Sequence, residues 1–130
     1  MTSGLLDTSV FIAREQTRDL AALPERVAIS VVTVGELELG VLTAGDEERR
    51  RRRAETLDLA RAADPLPVNE SVMGAFARIV RDCRREGVRV RILDALIAAT
   101  AVEHGLAVVT QDEDFEAMAA AHEDLRVWRL

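Results

Sequence analysis

Apolar residues along the chain occur in two ways, as short unbroken runs and as longer stretches with a period near 3.6, and the two kinds take turns. Gly4 to Asp7 predicts a short buried strand, and Val10 to Leu23 a helix that Pro24 terminates. The β-branched run from Val27 to Val32 predicts a second buried strand. Thr33 then starts a helix through about Val41. After a Gly-Asp loop, Glu47 to Ala63 predicts a longer helix whose weak apolar stripe is Ala54, Leu57 and Ala62. Leu66 to Val68, framed by Pro65 and Pro67, is a third, marginal strand.

Asn69 or Ser71 can cap the next helix, in which Val72, Ala75, Phe76, Ile79, Val80 and Cys83 recur at helical spacing before Gly87 ends it. Leu93 to His104 predicts a further helix closed by Gly105. Ala107 to Thr110 is the fourth strand, Phe115 to Ala121 a short helix and Arg126 to Arg129 a last strand. Strands alternating with helices imply an α/β fold, with a mostly parallel sheet of about five strands flanked on both faces by helices. A chain of 130 residues fits one such domain, residues 1–130.

That order gives five acids a common location. In right-handed strand-helix-strand units, strands end and helices begin at one edge of the sheet, where open α/β sheets gather functional side chains. Asp7 closes the first strand, Glu36 lies in the first turn after the second, Asp94 sits in the first turn of a helix, and Asp112 and Asp114 follow the fourth strand. Carboxylates crowded together raise one another's pKa, a cost that a hard divalent cation removes. Mg²⁺ takes oxygen ligands and bridges to phosphate, which suits an Asp/Glu site without histidine or cysteine. Structural roles stay open for four of the acids. Thr33 and Glu36 fit a capping box, Asp94 is a favourable partner for a helix dipole, and Asp112-Glu113-Asp114 fits a loop and helix cap. Asp7, after Leu5 and Leu6 in a buried strand, carries a desolvation cost that a structural role seldom justifies.

Composition removes several classes. All 17 basic residues are arginine, and without lysine the P-loop, receiver-domain phosphorylation and Schiff-base chemistries lose an essential group. A phosphatase using Asp7 as nucleophile fits poorly, because Ser9 stands where a second Asp is expected. Cys83 is the single cysteine, which excludes an internal disulfide and a cysteine zinc site and predicts a buried thiol. At 3% aromatic residues, stacking platforms for bases are not expected. The net charge of −6 does not exclude RNA, since bound divalent ions would reverse the local sign. No basic leader precedes the first apolar residues, and no apolar stretch approaches the roughly 18 residues that span a bilayer. A cytosolic protein is expected.

Four segments in order resemble the motifs of the PIN-domain ribonucleases and, within them, the VapC toxins of toxin-antitoxin pairs. Leu-Asp-Thr-Ser-Val-Phe-Ile resembles the opening motif, Gly-Glu-Leu-Glu-Leu-Gly the second, Arg-Ile-Leu-Asp-Ala-Leu-Ile-Ala-Ala-Thr-Ala the third and Val-Val-Thr-Gln-Asp-Glu-Asp-Phe the fourth. The resemblance covers nearly the whole chain and departs mildly at Leu93, where many relatives have Asn or Pro. It implies a three-layer PIN-like sandwich with Asp7, Asp94, Asp112 and Asp114 as metal ligands. Glu36, rather than Glu38, becomes the fifth catalytic acid, and Thr8, Ser9 and Thr110 supporting hydroxyls. The activity implied is a Mg²⁺- or Mn²⁺-dependent endoribonuclease with one or two ions, cutting structured RNA such as tRNA or ribosomal RNA to arrest translation. Glu36 and Asp94 are the candidates for taking a proton from attacking water. A homodimer held inactive by a cognate VapB antitoxin is implied as well. The alternative is a PIN-like scaffold that binds RNA or a partner without cutting it.

Arginines are the expected phosphate contacts. Val88-Arg89-Val90-Arg91-Ile92 alternates, which points Arg89 and Arg91 to one side just before Asp94. The run Arg49 to Arg53 spreads around more than one helical turn and predicts a solvated surface, with RNA or a partner as the other option. The apolar face of Phe76, Ile79 and Val80 is expected to pack in the core, a partner contact being the alternative.

Overall fold

The computed structural model describes residues 2–16 and 23–130. Four parallel strands form the sheet: β1 (Ser3–Leu6), β2 (Arg26–Ala28), β3 (Ala107–Thr110) and β4 (Val127–Arg129), in the order β2-β1-β3-β4. Among the described residues six helices accompany them: α1 (Thr8–Glu15), α2 (Val31–Leu42), α3 (Glu47–Arg61), α4 (Glu70–Arg85), α5 (Ile92–Glu103) and α6 (Asp114–Ala121). The part of the first expected helix over residues 17–22 lies outside the described residues.

Strand periodicity divides the interior in two. Leu5 pairs with Val108 and Leu6 with Val109 in neighbouring registers, so successive residues feed opposite faces of the sheet. Leu5 and Val108 join the buried faces of α4, α5 and α6, including Val72, Ile79, Ile97, Phe115 and Met118. Leu6 and Val109 join Val10 and Phe11 of α1, Leu37 of α2 and Leu57 of α3. The result is the expected three-layer arrangement. Gly4 serves it directly, because a Cβ there would collide with Val109 Cγ2 and approach Pro24.

The expected second strand runs too long. Val31 and Val32 begin α2, and Ser30 rather than Thr33 is its cap, accepting a bond from the Val32 N–H at 3.0 Å. The sheet has four strands instead of about five, since Leu66 makes only an isolated parallel bridge to Ser30. Leu66 donates its N–H to Ile29 O and accepts from Val31 N, but Pro65 and Pro67 have no N–H with which to extend the ladder. In α3 the buried stripe is Thr56, Leu57 and Ala60, not Ala54, Leu57 and Ala62.

Helix ends otherwise follow their chemistry. Asn69 caps α4 by accepting from the Val72 N–H at 3.0 Å. Gly87 and Gly105 have φ of 69° and 65°, and the bonds Val88 N to Cys83 O and Leu106 N to Ala101 O close Schellman turns after α4 and α5. Cys83 is buried, as expected, and burial pushes its thiol pKa up. No helix among the described residues is long and apolar enough to cross a membrane.

Candidate acidic metal centre

Asp7 follows β1 directly and becomes the N-cap of α1, its carboxylate accepting from the Ser9 N–H at 3.4 Å. Thr110 ends the adjacent strand β3 and donates its hydroxyl to Asp7 Oδ2 at 2.9 Å. With that proton committed, the Ser9 hydroxyl 3.2 Å away is left to donate to Thr110 Oγ1. Ser9 Oγ in turn accepts from the Gln111 N–H at 3.0 Å. A directed chain of bonds therefore runs from the backbone through two hydroxyls and holds a carboxylate that is only 4% exposed.

Glu36 lies in the second turn of α2, not the first, and makes no capping box with Thr33. Instead Thr8 donates to Glu36 Oε1 at 2.7 Å, and the buried Thr33 hydroxyl lies 3.2 Å from Thr8 Oγ1. Asp94, the third residue of α5, is buried, and its Oδ2 has no hydrogen-bond partner. Arg91 is the nearest positive charge, at 3.8 Å from Asp94 Oδ2 and 3.9 Å from Glu36 Oε2. Burial pushes the Asp94 pKa up to about 6; Arg91 lowers it, while Asp7, Glu36 and Asp112 add repulsion.

After β3, the Asp112 N–H bonds Thr110 Oγ1, and Asp112 Oδ1 accepts from the Asp114 N–H at the start of α6, both at 2.9 Å. One carboxylate oxygen from each of Asp94, Asp112 and Asp114 lies within 4.8 Å of the other two. Asp7, Glu36, Asp94 and Asp112 line an open cleft of about 580 Å³. Asp114 lines a smaller cavity of about 420 Å³ beside it, with Arg89, Arg91 and Asp94. The five acids thus share one edge of the sheet but fall into two groups: oxygens of Asp94, Asp112 and Asp114 lie close together, and Asp7 and Glu36 rest on hydroxyl supports.

These donors fit a divalent cation. All are hard oxygens, they repel one another, and the buried Asp94 Oδ2 has no hydrogen-bond partner, only the distant Arg91 guanidinium at 3.8 Å. Side chains missed from the sequence include Thr33, hidden in what reads as a cap, and Gln111, Glu113 and Arg129, which line the cleft. The carboxyl-edge rule that located the acids also reaches Arg129, at the end of the last strand.

The model of the PIN domain family matches residues 4–121. Ribonuclease VapC8 of Mycobacterium tuberculosis is 65% identical over 100 residues, covering 75% of this chain and 89% of the relative. The chain belongs to the VapC ribonucleases of the PIN domain family. Ribonuclease VapC5 of the same organism is 45% identical across 96% of both chains. The crystal structure of the M. tuberculosis VapBC-5 toxin-antitoxin member superposes on this PIN domain with a TM-score of 0.89 over 100% of both chains at 39% identity. FitAcB from Neisseria gonorrhoeae has a TM-score of 0.73 at 30% identity over 96% of both chains.

Proposed function

We propose that this PIN domain is the ribonuclease toxin of a VapBC pair, a Mg²⁺- or Mn²⁺-dependent endonuclease that cuts structured RNA, such as tRNA or ribosomal RNA, and so arrests translation. The observation that carries this reading is the buried Asp94, whose Oδ2 has no hydrogen-bond partner, with one of its carboxylate oxygens within 4.8 Å of oxygens of Asp112 and Asp114, beside a cleft open enough for a phosphodiester. Asp94, Asp112 and Asp114 would hold the ion, with Asp7 as the further ligand across the cleft. When bound, such an ion lowers the pKa of water and neutralises charge that develops on the phosphodiester.

The protein's own groups do the remainder. The Thr110 and Ser9 chain keeps Asp7 aimed, so that it need not reorganise as charge moves. Glu36 is the better placed of the two proton acceptors. Its Oε1 is fixed by Thr8, and Asp94 is committed to the ion. Arg89 and Arg91, at the rim beside Asp94 and Asp114, are positioned to meet RNA phosphates.

A VapB antitoxin is the expected partner, in line with the toxin-antitoxin complexes among the structural relatives. The Phe76, Ile79 and Val80 face does not supply that contact, because Ile79 is fully buried and the other two pack on the same core. Val31, Leu39 and Leu42, at 40%, 59% and 74% exposed, are apolar side chains on the solvent side of α2 that suit the antitoxin better. We also propose a homodimer acting in the cytoplasm, where its RNA substrate is.

Purified, antitoxin-free protein incubated with total RNA and Mg²⁺ or Mn²⁺ tests the activity. Discrete fragments are expected, lost on adding EDTA and reduced at least about 100-fold by Asp7→Asn or Asp94→Asn. Absence of cleavage by folded protein, or cleavage that both substitutions leave intact, sinks the proposal.

A further inference from the structure

Arg129 is a cleft residue to which the catalytic reading gives no role. It is the register partner of Thr110 across the β3-β4 pair, and the Leu130 N–H donates to Thr110 O at 2.9 Å. Register partners in a parallel pair project from the same face of the sheet. The Thr110 side chain reaches Asp7 on that face, and Arg129 reaches the same cleft one strand further out. Its side chain is 40% exposed and its guanidinium donates to Glu116 Oε1 of α6 at 3.1 Å, the Glu116 side chain being itself 52% exposed. An ion pair so open to solvent is worth little and exchanges readily for a better acceptor.

The sheet order places this arginine opposite Arg91. Glu36 follows β2, at one edge, and Arg91 lies against Glu36 and Asp94; Arg129 ends β4, at the other edge, with the Asp7 and Asp112 carboxylates between them. A polyphosphate crossing a line of acids needs cations on both banks, or one flank of it faces only negative charge. We propose that Arg129 is the RNA-binding residue of the β4 bank, gripping a backbone phosphate on the side of the scissile bond away from Arg91, with Glu116 holding the guanidinium in place until RNA displaces it. The planar guanidinium fork suits two oxygens of one phosphate. This inference rests on the ribonuclease reading and adds one contact to it.

Binding of bulk tRNA by the full chain, carrying Asp94→Asn so that the RNA survives, tests it between 50 and 200 mM NaCl. Arg129→Gln should weaken binding about three- to tenfold and lower the slope of log affinity against log salt by about one. Arg129→Lys should restore the slope, and Glu116→Gln should tighten binding by freeing the guanidinium. A melting curve shows that each variant is folded. Affinity and slope unchanged in Arg129→Gln overturn the proposal, as does weakened capture of the antitoxin with RNA affinity intact. Failure of the parent protein to bind or cut any RNA overturns the ribonuclease reading instead, and the two failures are distinguishable.

Discussion

Asp94 shows how a residue placed for metal binding, as proposed, would cost the fold stability. Its carboxyl is buried with one oxygen unpartnered, and its pKa in the folded protein is pushed up to about 6, against about 3.9 in an unfolded chain. Between those values the native state binds more protons than the unfolded one, so the stability of metal-free protein falls as pH rises from about 4 to 6 and stays reduced above it. Asp94→Asn removes that penalty. In EDTA at pH 7 it should raise unfolding stability by on the order of 2 kcal/mol while abolishing cleavage, and at pH 4 the gain should vanish. Urea titrations at the two pH values check this; equal effects at both would show that ionisation of Asp94 is not the cause. Asp94 is legible in the sequence as a helix-start acid but its exposure is not, since a favourable partner of the helix dipole has the same spacing as a buried ligand.

At the scale of elements, the arginine run divides between surface and structure. Arg50 and Arg52 pair along α3 with Glu47 and Glu48, with side chains about half exposed, as a solvated face predicts. Arg53 instead bonds Glu15 of α1 at 2.9 Å, and Glu15 also accepts from Thr56 at 2.6 Å while only 8% exposed at its side chain. This tie fixes α3 to the helix that begins with Thr8 and Ser9. Arg53→Met should therefore cost about 2 kcal/mol by stranding a buried carboxylate, and Arg50→Ala under about 0.5 kcal/mol. Matching urea midpoints for the two variants would refute the distinction. The pairing was not legible because it spans 38 positions and uses a polar residue, Thr56, where a periodic stripe counts only apolar ones. Val31 and Val32 misled for a related reason. Four to six β-branched residues read alike as a strand or a buried helix start, and Ser30, which decides the matter by capping, sits inside the run.

For the whole molecule, the site was more legible than its details because topology does the gathering. Alternating strands and helices oblige Asp7, Glu36, Asp94, Asp112 and Asp114 to share an edge whatever their rotamers, whereas the split between a donor set and hydroxyl-supported acids depends on distances that no motif spacing encodes. That split has a measurable global consequence. An ion held by the native donor set and not by the unfolded chain stabilises the fold by mass action, about 2.7 kcal/mol when present at a hundred times its Kd. For a domain of this size that corresponds to a rise in Tm of roughly 8 °C. Mg²⁺ or Mn²⁺ should produce that rise and EDTA reverse it. Asp94→Asn or Asp112→Asn should abolish it through loss of a ligand, whereas Glu36→Gln should keep most of it, because Glu36 stands outside the set and in the proposed reading acts on a proton. Equal loss in Glu36→Gln would mean that the ion sits across the whole cleft, and that proton transfer must be assigned elsewhere.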